Sequence, residues 1–143
     1  MTLAEIKDML QTKSGFYGMS GGISNDLRDI EQAAEDGNDD AANAIAAYTY
    51  SIRKYIGAYA AAMGGLDAIV FGGGIGRNSA AVRALSLAGL GFLGIRLDGE
   101  KNRHAFGGRD ISMDGSPVRV FVLDTDEEIV VARKAAALLA QEG

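Results

Sequence analysis

The sequence contains no cysteine and only one proline. Without cysteine the chain can form no disulfide, no thiolate metal site and no cysteine nucleophile. The single proline stands beside 20 glycines, a balance that argues against a disordered, proline-rich linker. Glycine at this frequency indicates tight turns and close approaches of the backbone.

A cluster of basic residues is also missing, as is a long apolar run. The formal net charge is −5, which argues against nucleic-acid binding because no basic block would neutralise phosphates. No apolar segment approaches the ~20 residues that cross a bilayer. The opening MTLAEIKDML is charged where a signal peptide is apolar. We therefore expect a cytoplasmic protein with no nucleic-acid or membrane partner.

The composition is that of a globular domain. The chain has 143 residues, of which 48% are hydrophobic and 23% are charged. This length is enough to bury a sizeable core, and no linker or internal repeat divides it. We predict a single domain over residues 1–143.

Hydrophobic periodicity predicts three helices in the first half of the chain and a strand after them. A first helix has apolar residues from Leu3 to Leu10 at helical spacing, and a short second helix runs from Asp26 to Asp36. A long third helix extends from Asn38 to Met63, because Asn38 is a good N-cap. The apolar run Ala68–Phe71 is typical of a strand that is covered on both faces.

The second half alternates in the same way. Asn78 and Ser79 cap a helix with Val82, Leu85 and Ala88 on its inner face, and the segments FLGIRL and DISM are predicted to be short strands. A further strand starts at Val118. The sequence Thr125-Asp-Glu-Glu128 is a capping box that opens a last helix, whose inward residues are Ile129, Ala132, Leu138 and Leu139. This alternation predicts an α/β layered fold with a mainly parallel sheet.

The segment DAIVFGGGIGRNS, residues 67–79, reads as a strand, a glycine loop and a helix start. It matches neither the dinucleotide fingerprint G-x-G-x-x-G nor the P-loop, which requires G-K-[ST] after its glycines. Glycines still let a backbone approach a flat ring or a phosphate, and a capped helix start offers free N–H donors. A ligand loop and an empty tight turn both fit this segment.

Four stretches, the second of which contains this segment, occur in order along the chain: SGGISNDLRDIE, RKYIGAYAAAMGGLDAIVFGGGIGRNSAAVR, GFLGIRLD and VFVLDTDEEIVVARKA. Together they closely resemble the C-terminal part of the acetate and propionate kinases, the acetokinase family, over about residues 14–137. The resemblance implies a three-layer ribonuclease H-like α/β domain of the actin, hexokinase and Hsp70 type. It further implies that this is the nucleotide-binding domain of a two-domain kinase, with the N-terminal domain absent.

The resemblance also implies site residues. Gly74, Ile75, Gly76, Arg77 and Asn78 match the family's nucleotide segment G-I-G-E-N, and Asp26, Leu27 and Arg28 match its D-M-R segment, which lines the adenosine pocket. Glu127 matches the first glutamate of the family's N-E-E, which serves a magnesium ion. The implied cofactors are therefore ATP or ADP and Mg²⁺.

Three positions depart from the family pattern: Arg77 replaces glutamate, Asp126 replaces asparagine and Asp124 replaces proline. Arg77 is expected to reach a phosphate or ribose oxygen or, as we prefer, to pair with a surface carboxylate. Asp124 and Asp126 either support magnesium through water or favour the helix N-terminus.

Several other residues fit ordinary structural roles. Asp26 and Arg28 equally suit an N-cap and a surface charge. His104 lies in a polar stretch and is expected to be solvated. The tyrosines of the long helix, Tyr48, Tyr55 and Tyr59, are expected to pack in the core or in a dimer.

By resemblance the reaction is phosphoryl transfer between ATP and acetate, giving ADP and acetyl phosphate, and the protein forms homodimers. The acetate or propionate pocket and the cationic groups around the phosphoryl group lie upstream in the family. We therefore assign no catalytic residue here and expect this chain alone to be inactive. The alternative is a truncated, non-catalytic module that dimerises, with or without bound nucleotide.

Overall fold

The computed structural model describes residues 1–124 together with Ile129, Ala132 and Arg133. Seven α-helices and three strands lie within residues 1–124. In chain order they are α1 (Leu3–Thr12), α2 (Gly15–Met19), α3 (Leu27–Glu35), α4 (Asp39–Met63), β1 (Ala68–Phe71), α5 (Gly73–Asn78), α6 (Ala80–Leu87), α7 (Gly99–Arg103), β2 (Arg109–Asp110) and β3 (Arg119–Val122). A 3₁₀ turn, Leu90–Leu93, separates α6 from α7.

Helices α3, α4 and α6 begin at side-chain caps, whereas α2 and α5 begin without a side-chain cap. Asp26 accepts a hydrogen bond from the Arg28 amide, Asn38 from the Ala41 amide and Ser79 from the Val82 amide. Each cap satisfies an amide that has no partner within its helix. Helix α4 ends at Gly64, whose φ of +76° is a left-handed conformation that favours glycine.

The sheet is small and mixed, with strand order β1–β3–β2. Strand β1 pairs with β3 in parallel, Ala68 opposite Arg119, whereas β2 pairs with β3 antiparallel. The predicted strand DISM forms only at Asp110 and in an isolated bridge at Ser112. FLGIRL is a 3₁₀ turn followed by isolated bridges from Ile95 and Leu97. The predicted α/β layering is confirmed, and these two short segments contribute less strand than we expected.

Two hydrophobic clusters stabilise the molecule. The sheet core consists of Phe71, Leu87, Leu90, Ile95, Ile111, Val118, Val120 and Val122. The helical core consists of Leu27, Ile30, Ala41, Ala44, Ile45 and Val82. Three alanines of α4, Ala41, Ala44 and Ala60, are buried, and such short side chains allow neighbouring elements to approach α4 closely.

Burial in β1 and α6 differs from the prediction. Strand β1 is not covered on both faces, since Ala68 is exposed and Val70 is 55% exposed. In α6 the inward residues are Val82 and Leu87, whereas Leu85 is 42% exposed and Ala88 is exposed as well. Ala88 is exposed because α6 ends at Leu87, so this residue no longer follows the helical period.

The apolar stripe of α4 is buried only in part. Ile45 is buried, Tyr48, Ile52 and Ile56 are half-buried, and Tyr55, Tyr59 and Met63 are exposed. Phe16 in α2 packs on Tyr48 with ring centroids 4.9 Å apart. The long helix thus packs along its first half and carries exposed aromatic rings along its second.

The predicted last helix lies largely outside the described residues, including Thr125, Asp126, Glu127, Glu128, Leu138 and Leu139. Ile129, Ala132 and Arg133 are helical. Ile129 is 41% exposed and Ala132 is exposed, so the prediction that these two face inward is wrong. None of the helices in the described part of the chain combines the length and apolarity needed to cross a membrane.

Candidate functional site

The glycine segment after β1 is a short helix, not the loop that we predicted. Gly73 has φ +67°, a conformation that favours glycine, and it begins the six-residue α5. The amide nitrogen of Asn78, Nδ2, donates to the Gly74 carbonyl at 2.9 Å. Glycine is a poor helix former, and for that reason sequence reasoning missed this helix.

Residues 26–28, at the start of α3, contribute one side chain to the core and two to the surface. Leu27 is buried in the helical core. Asp26 caps α3 and also binds Arg28, whose Nε donates to Asp26 Oδ1 at 3.0 Å. The hydrogen bonds from the Arg28 side chain and backbone amide hold the pKa of the Asp26 carboxyl at about 2, below its ordinary 3.8. Asp26 is thus an N-cap and Arg28 is an exposed surface charge, the two structural roles considered in the sequence analysis as alternatives to binding.

An open cleft of about 790 Å³ lies between α3 and α5. Its volume is within the usual range for small-molecule sites. The wall on the α3 side is formed by Asn25, Asp26, Leu27, Arg28 and Glu31, and the opposite wall by Gly74, Ile75, Asn78 and Ser79. Six of the eight residues predicted to bind nucleotide therefore line one cleft: Asp26, Leu27, Arg28, Gly74, Ile75 and Asn78.

Glu31 and Ser79 connect the two walls, and sequence reasoning had not assigned either of them to the site. Ser79 Oγ donates to Glu31 Oε1 at 2.5 Å and accepts from the Val82 amide at 3.0 Å. The hydroxyl thus caps α6 and ties it to α3. The available signal for Glu31 was its position three residues after Arg28, which places both on one face of a helix.

Gly76 and Arg77 are not among the residues that line this cleft. A Cβ added at Gly76 would lie 3.3 Å from the Phe71 Cβ, so this glycine permits close packing of α5 on β1. Arg77 Nε lies 2.9 Å from Asp124 Oδ1. The preferred interpretation of Arg77, pairing with a surface carboxylate, is confirmed.

Arg77 lies in α5, which follows β1, and Asp124 follows β3. Because β1 and β3 are parallel, the Arg77–Asp124 pair joins the carboxyl ends of the two strands. A Cβ added at Gly107 would come within 1.7 Å of Asp124 Oδ2, so the side chain of Asp124 also lies directly against the backbone of Gly107. Asp124 is therefore engaged in the packing of this edge of the sheet.

The predicted magnesium residue Glu127, like its neighbour Asp126, lies outside the described residues. Within residues 1–124 and the three further described positions, no group of three or more His, Cys, Asp or Glu side chains is placed to hold a metal ion. The His104 side chain is 81% exposed, with Nε2 3.7 Å from Glu100 Oε2. Its predicted solvated position is confirmed.

Valine at position 76 should destabilise the fold more than valine at position 74. A Cβ at Gly76 meets Phe71, whereas one at Gly74 meets nothing within 4 Å. Both replacements change the same helix and residue type, so the difference reports the contact. We expect Gly76→Val to lower the free energy of unfolding by about 1–3 kcal/mol more than Gly74→Val, measured by urea denaturation. Equal values for the two variants would contradict the tight contact.

The Asp26–Arg28 pair should make stability depend on pH in the acid range. Because folding lowers the Asp26 pKa from 3.8 to about 2, its contribution is complete above 3.8 and is lost as the pH falls through about 2. Asp26→Asn keeps an N-cap acceptor but removes the charge. The melting temperature of the wild type should exceed that of Asp26→Asn at pH 7, and the gap should close between pH 4 and 2. A gap that stays constant down to pH 2 would disprove the shift.

The chain is similar in sequence to proteins of a known family. The model of the Acetokinase family matches residues 1–133. The acetate kinase of Halothermothrix orenii is 45% identical over 139 residues, which are 97% of this chain and 35% of that protein. The chain thus spans about a third of the length of the curated relatives it matches.

Solved structures agree with the sequence comparison. The crystal structure of Porphyromonas gingivalis acetate kinase superposes with a TM-score of 0.85 at 42% identity, covering 97% of this chain and 35% of that one. That of a propionate kinase from Francisella tularensis gives 0.80 at 33% identity, covering 92% and 33%. The α/β fold with its small flanked sheet is that of these kinases and is consistent with the predicted actin-like class. On this sequence and structural similarity, the chain belongs to the acetokinase family.

Proposed function

We propose that this chain is the adenine-nucleotide-binding part of an acetate kinase-type phosphotransferase, which converts ATP and acetate to ADP and acetyl phosphate. One observation carries the proposal. The segments at 26–28 and 74–78 are far apart in sequence, and each resembles a nucleotide segment of the family. Residues 26–28 line one wall of a single cleft, and Gly74, Ile75 and Asn78 line the opposite wall.

The chemistry of the cleft suits a nucleoside. Half-buried Ile75 provides apolar surface for a base, with Leu27 behind it in the helical core. The backbone at Gly74 is open, since an added Cβ would meet nothing within 4 Å. A flat ring can therefore approach the α5 backbone closely. The Arg28 side chain is 87% exposed at the cleft edge. Two of its guanidinium nitrogens bind Asp26, and the third is placed to bind a phosphate or ribose oxygen.

Mg²⁺ is the second proposed cofactor, held chiefly through the nucleotide phosphates and Glu127. Bound there, it would neutralise phosphate charge during phosphoryl transfer. The described carboxylate closest in sequence, Asp124, is already paired with Arg77, so we assign it to positioning of the strand end. We propose that the carboxylic acid, acetate or propionate, and the cationic groups around the transferred phosphoryl are bound by the part of the kinase that this chain does not cover.

The second proposal concerns self-association, and it would also hold for a non-catalytic module. Tyr55 and Tyr59 stack with ring centroids 6.0 Å apart and are 55% and 61% exposed. Met63, one turn further along the same face of α4, is 65% exposed. We propose that this face pairs with a second copy of the chain.

Magnesium-ADP should bind the purified chain saturably with a stoichiometry near one, measured by calorimetric titration. Gly74→Val should weaken binding at least ten-fold because its side chain enters the cleft. His104→Ala, which alters an exposed residue outside the cleft, serves as the control and should leave the affinity unchanged. Absence of binding at millimolar nucleotide, or equal binding by Gly74→Val, would reject the cleft as the nucleotide site.

Light scattering at micromolar concentration should report a dimer. Tyr59→Asp should shift the chain to a monomer, because a buried carboxylate would face the apolar contact. Tyr50→Asp is the matched control, since Tyr50 is equally exposed at 61% and lies on the opposite side of α4. A wild-type monomer, or identical behaviour of the two variants, would count against this interface.

A further inference from the structure

Arg83 is a buried cation in the first half of α6, and the proposed function does not use it. Arg83 is only 1% exposed. None of the ion pairs found among the described residues includes it. Burial lowers the pKa of its guanidinium from the ordinary value. A buried charge without an ionic partner requires a dense set of hydrogen bonds.

The hydrogen bonds of Arg83 go to two places. On one side, Nε donates to Asn102 Oδ1 at 2.7 Å and a terminal nitrogen donates to the Asn102 carbonyl at 2.7 Å. On the other side, the second terminal nitrogen donates to the Gly76 carbonyl at 2.9 Å and to the Arg77 carbonyl at 2.8 Å. Asn102 is itself buried and donates through Nδ2 to the Ala80 carbonyl at 2.9 Å.

The two carbonyls that Arg83 binds belong to the last turn of α5. Carbonyls at a helix C-terminus have no partner within the helix, and a cation placed there is favourable. The planar guanidinium spans two acceptors on α5 and two on Asn102 at once, which the single ammonium of lysine cannot do. Arginine at this position therefore connects α5 to α7 through α6.

Helix α5 has a particular need for such a connection. Three of its six residues are glycine, and glycine disfavours a helix because its backbone loses much freedom on ordering. Yet Gly74, Ile75 and Asn78 of this helix form one wall of the cleft. Because the sequence of α5 favours a helix only weakly, contacts with other elements must stabilise it.

We propose that Arg83, oriented by Asn102, is a positioning residue that holds the C-terminal turn of α5 so that its opposite side forms the nucleotide wall of the cleft. The hold on α5 stands on hydrogen-bond geometry alone. The consequence for nucleotide affinity rests on the proposed function.

The test separates these two parts by two readouts on Arg83→Lys. Amide hydrogen exchange, followed by NMR, reports α5 directly through residues 77–79, of which the Ser79 amide donates to the Ile75 carbonyl. We expect exchange at 77–79 to accelerate at least ten-fold while the amides of α3 keep their rates. Titration with magnesium-ADP should show at least ten-fold weaker binding.

Arg53→Lys is the matched control. Arg53 also donates to a helix carbonyl, that of Leu85 at 2.6 Å, but this bond goes to α6 and Arg53 is not among the residues that line the cleft. It should leave both readouts unchanged. Asn102→Ala is the second variant in case Arg83→Lys does not fold, because it keeps Arg83 and removes the side-chain acceptor. It should reproduce the selective exchange in α5.

Two results would overturn the proposal. In the first, Arg83→Lys and Asn102→Ala accelerate exchange equally in α3 and α5, which is the mark of a general loss of stability. In the second, neither variant changes exchange at 77–79. If the wild type binds no nucleotide while exchange in α5 responds selectively, the hold on α5 is supported and the proposed function fails by itself.

Discussion

Helix α6 places Val82 in the helical core and Leu87 in the sheet core, and the cleft depends on this double packing. Its N-cap Ser79 binds Glu31 of α3, and its Arg83 binds the carbonyls of α5. Both walls of the cleft are thus hydrogen-bonded to one helix, and that helix packs into both hydrophobic clusters. Apolar burial holds α6 in place, and the hydrogen bonds from α6 hold α3 and α5 in position around the cleft.

The glycines of α5 show how open backbone and order are combined. Gly76 allows the helix to lie against Phe71, and Gly74 leaves the cleft wall without a side chain. The same absence of side chains weakens the helix and removes packing contacts from it. Arg83 below the helix and the Arg77–Asp124 pair beside it offset that weakness. The surrounding structure thus holds a surface that its own residues would not keep in place.

Sequence reasoning performed well wherever a local rule applied. Asn38 and Ser79 were recognised as caps, and a cap was one of the roles considered for Asp26. The strands at 68–71 and after Val118 were placed correctly, because capping and apolar runs are decided by neighbours in the chain. It failed for Leu85 and Val70, which are apolar but exposed. Which apolar residues face a partner depends on where the helix ends and on which face of the strand another element lies.

The candidate site likewise has features that local sequence predicts and features that depend on tertiary packing. The family motifs by themselves determined the two segments, 26–28 and 74–78, and the residue types that a nucleotide would meet. Tertiary structure alone decided that Gly76 and Arg77 lie off the cleft, that Glu31 and Ser79 bridge its walls, and that Arg83 supports α5. The reason is physical: a motif specifies conformation over a few residues, whereas a cleft and a buried charge exist only where segments distant in sequence pack together.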